Sequence, residues 1–175
     1  MSQSTVQENP MKAIRIGKIV VNIGLGKSGE AIERGKQVLE QVTGQKPSQR
    51  RAKKSIRDFG IHKGEPIGVA VTVRGEEAVG LIGKLLVARE KKLAESCFDS
   101  KGSVSFGIKE HIEIPGVKYD PAIGILGMNV CVLLERPGYS VARRSRRTSR
   151  VGRSHMVTHE ESMGFFREKF GVTIS

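Results

Sequence analysis

Two sets of residues have types and spacings that suit chemistry. Gly24-Leu25-Gly26-Lys27-Ser28-Gly29 fits G-x-G-x-x-G, follows a β-branched run and opens a helical pattern, which is the setting of a dinucleotide site. Such a site also needs a second parallel strand after the helix, ending in an acid about 20 residues on. Val42 to Lys54 holds neither an acid nor an apolar run. The same loop contains Gly26-Lys27-Ser28, the end of a P-loop, whose pattern requires glycine at position 21. Val21 stands there. The alternative function, a nucleotide-binding enzyme using the Gly24 to Gly29 loop, thus has a motif without its partner strand. The plainer reading is a flexible turn that an RNA backbone could approach closely.

His155 and His159 have metal-ligand spacing on a helix. Thr158 reads as a helix cap, however, so the pair straddles a helix boundary. Cys97 and Cys131 lie far apart and outside any C-x-x-C. Cys131, in the uncharged run Asn129 to Leu134, reads as a core thiol. No paired carboxylates and no Ser/His/Asp arrangement stand out. The expectation is a protein that is not an enzyme and takes no cofactor and no metal.

Charge is more informative. Thirty Lys and Arg against eighteen Asp and Glu give +12 and a pI near 10.1. Lys46, Arg50, Arg51, Lys53, Lys54, Arg57 and Lys63 face only Asp58 within Lys46 to Lys63, a net of +6. Arg136, Arg143, Arg144, Arg146, Arg147, Arg150 and Arg153 form a second run, at +7 with no acid. The remainder of the chain stands at −1. Charge this concentrated repels itself unless a polyanion neutralises it, the footprint of a nucleic-acid binder. The runs contain only Phe59 and Tyr139 as aromatics. That disfavours a platform for stacking single strands and favours phosphate contacts on folded RNA.

The elements must position these runs. A chain of 175 residues suits one domain and can bury a sizeable core without staples. Two cysteines make no disulfide framework, and no apolar stretch is long enough to span a membrane. Met1 to Pro10 reads as a polar disordered tail rather than a signal peptide, ahead of a single domain from 11 to 175. A reduced, cytosolic setting is expected. The pattern predicts a strand over Ile14–Gly24 and a helix over Glu30–Val42, stopped at Gly44. A weakly alternating basic stretch, Ser48–Phe59, reads as an edge strand, and Ile67–Val73 as its hairpin partner. A helix follows from Glu76 to about Lys92. Phe98–Gly107 is a loop with a short strand, Pro115–Gly127 is irregular, and Met128–Leu134 is a buried strand. The basic segment 136–156 has too few apolar residues to pack, and Arg143 to Arg150 is expected to order only on RNA. Thr158-x-x-Glu161 is a capping box opening a last helix that turns Met163, Phe166 and Phe170 inward. The order predicts an α+β two-layer sandwich, a mainly antiparallel sheet with helices packed on one face. The other face would be open to a ligand.

Seven stretches come in a recognisable order: Val20-Val-Asn-Ile-Gly24, Thr43-Gly-Gln-Lys-Pro47, Arg57 to Gly68, Val71-Thr-Val-Arg-Gly75, Ser105 to His111, Tyr119 to Gly124 and Arg136-Pro-Gly138. Over about residues 10 to 172 the chain closely resembles the universal large-subunit ribosomal protein five family. The basic tail resembles the archaeal and eukaryotic branch. The resemblance implies binding of 5S rRNA and large-subunit rRNA in the central protuberance. It implies a projecting loop that reaches P-site tRNA, and a bridge to small-subunit ribosomal protein thirteen. Large-subunit protein eighteen, which also binds 5S rRNA, would be a neighbour. The family's 5S contacts would fall on Asn22, Gln45 and Thr72, with Lys46 and Arg74 beside them. The tRNA loop would fall on Ser55 to Gly64, with Ser55, Arg57, His62, Lys63 and Gly64 as contacts. It buries few apolar residues beyond Ile56, Phe59 and Ile61, so it would project. Arg50, Arg51, Lys53, Lys54, Arg143, Arg144, Arg146, Arg147, Arg150 and Arg153 would hold rRNA phosphates. Asn22, Gln45 and Thr72 lie near the ends of their elements, so a sheet could bring them together. Two departures stand out. Gly102-Ser103-Val104 replaces the family's usual Gly-Asn-aromatic, and Lys27 replaces a usual acid.

Overall fold

The computed structural model describes residues 9–26, 28–117 and 119–175. Most of the expected tail, and Lys27, lie outside these residues. Asn9 caps a single 3-10 turn, Pro10–Lys12, at the start of the described chain.

The β-branched run forms β1, Arg15–Gly24. Helix α1, Glu30–Thr43, ends where Gly44 takes φ 67°. That left-handed geometry is cheap for glycine and lets its N–H satisfy the carbonyl of Glu40. Strands β2, Ser48–Arg51, and β3, Pro66–Val73, pair as the expected hairpin, but β2 is far shorter than the expected Ser48–Phe59, whose last residues form a 3-10 turn instead. Helix α2, Glu76–Ala88, is shorter than expected. Glu90 and Lys91 adopt φ of 53° and 55°, turning the chain so that β4, Lys92–Leu93, can bury Leu93. Strands β5, Ser103–Ile108, and β6, Met128–Glu135, follow. Helix α3, His159–Phe170, opens on the expected capping box at Thr158, and β7, Thr173–Ile174, pairs in parallel with β4.

The main sheet has the order β2-β3-β1-β6-β5, with every neighbouring pair antiparallel. Its side chains alternate between two environments. Ile19, Val21, Ile23, Val69, Val71, Val73, Val130, Val132 and Leu134 are buried in one core with Ile32, Leu39, Ile82 and Leu85 of the helices. Alternate positions, including Thr72, Ser105, Asn129 and Cys131, are exposed. The architecture is the expected α+β sandwich with one open sheet face. Phe166 of α3 meets Phe98 edge to face at 5.7 Å, closing the core near β5.

Cys131 corrects the reading of β6. The thiol is exposed, not in the core. An uncharged run looks buried on both faces, but only one face of this strand is covered, and Cys131 lies on the other between Val20 and Ser105.

Candidate nucleic-acid interface

The register assembles the open face row by row. Asn22 of β1 sits opposite Ala70 of β3 and Asn129 of β6. Ser48 extends that row at one edge and Gly107 at the other. The next row runs Thr72, Val20, Cys131, Ser105. Asn22 and Thr72 are therefore diagonal neighbours, about 7–8 Å apart in such a ladder. Small residues stand among them: a Cβ on Gly68 would lie 2.8 Å from the carbonyl oxygen of Ile23. The result is a neutral surface of amides, hydroxyls and short side chains.

Gln45 does not join this face. Its amide donates to Glu77 of α2 at 2.8 Å, and it lines a cleft of about 420 Å³ between α1 and α2, with Lys84 beside it. Lys46 is exposed just ahead of β2, and Arg74 just after β3.

The two cationic runs flank the open face at opposite ends of its strands. At the Gly24 end, β2 and β3 lead into the hairpin. All four residues of β2 are exposed, Arg50 on the open-face side opposite Gly68. Arg51, Lys53 and Lys54 are exposed as well. Beyond them an Ile56–Ile61 bridge closes the tip around a 3-10 turn, Arg57–Phe59, ended by Gly60 at φ 63°. Ser55 Oγ accepts from the N–H of Lys63, leaving the Lys63 ammonium outward; Arg57, His62 and Gly64 are exposed. The tip buries less than expected. Phe59 is 72% exposed and Ile56 43%. Glu65 holds the hairpin base, accepting from His62 N at 2.9 Å and from Ser28 Oγ at 2.5 Å. These bonds, the His62 N–H first, hold its carboxyl below the ordinary 4.5.

At the Arg15 end lies the second run. Glu135 ends β6 on the open-face side and is buried. Arg143 donates to it at 2.6 Å, and Arg15 approaches at 3.8 Å. A bulge at Gly17 makes the room: a Cβ there would lie 2.5 Å from Glu135 Cδ. Arg136, 7% exposed, donates to the carbonyls of Lys12 and Met156 and to Glu161 Oε1 at 2.6 Å. Glu161 also accepts from Thr158 N, so one carboxylate closes the capping box and anchors the tail. Burial pushes the Glu161 carboxyl up, but the Thr158 N–H and Arg136 outweigh it and hold it below 4.5. Tyr139 OH donates to His155 O and accepts from Val157 N, and the His155 ring meets Pro137 O at 2.8 Å.

Polar bonds thus do for segment 136–156 what apolar packing could not. Two of its seven arginines pair with carboxylates of the protein, Arg136 buried and Arg143 still exposed. Arg144, Arg146, Arg147, Arg150 and Arg153 remain exposed, with no acidic partner among the described residues. Arg144 Nε donates to Arg147 O, a bond that shapes the turn and keeps the charge.

Among the described residues of the glycine loop, the leading N–H groups are already engaged within the protein. The N–H groups of Leu25 and Gly26 both donate to Ile67 O at 3.0 Å, and α1 is followed by an antiparallel edge hairpin. Among the described residues no group of His, Cys, Asp and Glu is placed to hold a metal, and no helix is long and apolar enough to cross a membrane.

Asn129 and Ser105 were not singled out from sequence. The only sequence signal for them is alternation along β5 and β6, and the register is needed to set Asn129 against Asn22.

Comparison with known proteins gives the same architecture a family. The family described as Ribosomal protein L5 matches residues 9–62, and the family model for the C-terminus of the same ribosomal proteins matches 66–165. The chain is 51% identical over 175 residues to large ribosomal subunit protein uL5 of Nitrosopumilus maritimus, covering 100% of both chains. It is 54% identical over 169 residues to that of Pyrobaculum aerophilum, covering 97% of this chain and 94% of the relative. For Sulfolobus acidocaldarius the figures are 46% over 172 residues, 98% and 97%. With these matches running along nearly all of its described length, the chain belongs to the ribosomal protein L5 family.

Proposed function

We propose that this structural, non-catalytic protein of the large ribosomal subunit binds 5S rRNA on its open sheet face. The observation that carries the reading is a neutral face of Asn22, Thr72, Asn129 and Ser105 set between two cationic runs. Lysines and arginines gain affinity from phosphates regardless of sequence; uncharged amides and hydroxyls discriminate base and sugar edges. A surface with cations at both ends and amides between them suits an RNA that is held at its backbone and read at its middle.

The exposed arginines of the tail hold phosphates of 5S rRNA or of large-subunit rRNA. Arg143 positions the tail through Glu135 rather than contacting RNA. Gln45 reaches RNA from the cleft between α1 and α2, off the open face, where Glu77 orients its amide. The hairpin tip, Ser55 to Gly64, contacts P-site tRNA. Small-subunit ribosomal protein thirteen across the intersubunit bridge and large-subunit protein eighteen complete the set of partners.

A gel-shift comparing 5S rRNA with tRNA and a random duplex tests the reading. Preference for 5S rRNA at a salt concentration that suppresses duplex binding is expected. Equal affinity for all three would overturn it.

A further inference from the structure

Segment 140–154 closes on itself without a core of its own: apart from half-buried Val141 and Val151, its residues are exposed. Its neck is drawn together chiefly by one side chain. Tyr139 OH donates to His155 O at 3.2 Å and accepts from Val157 N at 2.9 Å, so the residue that opens the loop holds the backbone that ends it. The rings of Tyr139 and His155 lie 6.0 Å apart, and the His155 ring meets Pro137 O at 2.8 Å. Val157, 1% exposed, belongs to the core and fixes the far side of the neck. Beyond the neck the loop is held by its own bonds. Ser149 N donates to Val141 O at 3.1 Å, and the N–H groups of Arg143 and Arg144 share Ser140 O. Arg147 takes φ 51°, a geometry that favours glycine, and Arg144 Nε holds its carbonyl at 2.8 Å. Arg144, Arg146, Arg147, Arg150 and Arg153 thus stand exposed on a closed frame. We propose that Tyr139 is a positioning residue for RNA selectivity: by pinning the neck it holds these arginines in an array that fits the phosphates of folded RNA better than those of a flexible strand.

A cationic loop free to move adapts to any polyanion and loses entropy on ordering at each binding event. A loop ordered beforehand avoids that loss but gives up the adaptability. Double-helical RNA carries its phosphates at regular spacing and is recognised by shape. An unstacked strand would itself have to be ordered to match a fixed array. The number of counterions released depends on the arginines and not on the neck. Both bonds of the Tyr139 hydroxyl go to backbone groups of the protein, so its influence on RNA runs through the arginines it places.

The inference rests on the proposed contact of the tail with rRNA phosphates, and the test separates the two. The full chain carrying Tyr139→Phe, alone and with His155→Ala, would be titrated with 5S rRNA, with large-subunit rRNA and with poly(U), and the salt slope read in each case. A thermal melt checks the core, and tryptic cleavage within 143–150 reports loosening of the loop. The double variant should be cleaved faster and should bind at least one of the two rRNAs about tenfold more weakly. Its poly(U) affinity and its salt slope should be unchanged. Most of the loss should vanish when Arg146→Ser and Arg150→Ser are already in place. The rRNA that responds identifies the source of the phosphates. Unchanged cleavage would show that these groups do not hold the neck and would overturn the proposal. Equal losses on rRNA and poly(U) would mean general support of the fold and would overturn it too. If neither rRNA is lost while the arginine pair weakens binding, the proposal falls and the tail contact stands. If the arginine pair is silent on both rRNAs, the contact and the proposal fall together.

Discussion

Asn22 and Asn129 stand directly opposite one another across β1 and β6, on the sheet face that the helices leave open. In such a pair the Cβ atoms lie about 4.5–5.5 Å apart, so two amides can address neighbouring groups of one ligand. One consequence is that Asn129→Ala should weaken 5S rRNA binding much as Asn22→Ala does. Each lost hydrogen bond at a desolvated interface costs about 1–3 kcal/mol. The measurement is equilibrium binding beside a thermal melt, with the melting temperature unchanged because Asn129 is exposed. Full binding by Asn129→Ala would confine the reading surface to β1 and β3.

Gln45→Ala should cost less than Asn22→Ala. Its amide is already engaged by Glu77, and the side chain lies off the open face. Parallel titrations of the two variants give the order directly.

Salt separates the arginines of the tail. With about 6 phosphates neutralised, log K should fall against log salt with a slope of roughly −4 to −5. Replacing Arg146 and Arg150 with serine should make the slope shallower by about one to two. Arg143→Ser should leave the slope nearly unchanged, since Glu135 already neutralises that charge. A slope near zero for the wild type would remove the electrostatic argument.

Gly17→Ala should destabilise the fold by about 1–3 kcal/mol, because the new methyl would meet a buried glutamate. That Cβ would lie 2.5 Å from Glu135 Cδ. In a double-mutant cycle with Glu135→Ala, much of the cost should vanish. Additive effects would show that the bulge, rather than the contact, requires glycine.

Acid should free the tail. The Glu161 carboxyl is held below 4.5 in the folded protein, so its contribution is fully present above the unfolded value and is lost as pH falls through the folded one. Cleavage of segment 136–156 by an acid-tolerant protease should therefore rise below about pH 4.5, with the core still folded. In Glu161→Ala it should already be fast at neutral pH. Equal cleavage at both pH values in the wild type would mean that Glu161 does not hold the segment.

Local signals were legible in the sequence. The β-branched run of β1, Gly44 ending α1 and the capping box at Thr158 each depend on residues within a few positions. Features set by register and by distant partners were not. Cys131 misled because valines and leucines flank it, hiding the alternation of a strand covered on one side. Arg136 counts toward the +7 of its run, yet its partner Glu161 lies 25 residues on, beyond the reach of any local count. The flanking charge runs were plain; that they sit at opposite ends of one neutral face is a property of the antiparallel ladder.

The most direct measurement is the salt dependence of 5S rRNA affinity for the combined variant Asn22→Ala, Thr72→Ala and Asn129→Ala beside the wild type. Sequence reading by the neutral face predicts a weaker affinity at every salt concentration and an unchanged slope, because no counterion-releasing charge is removed. Unchanged affinity in the combined variant would contradict it and place 5S rRNA elsewhere on the protein.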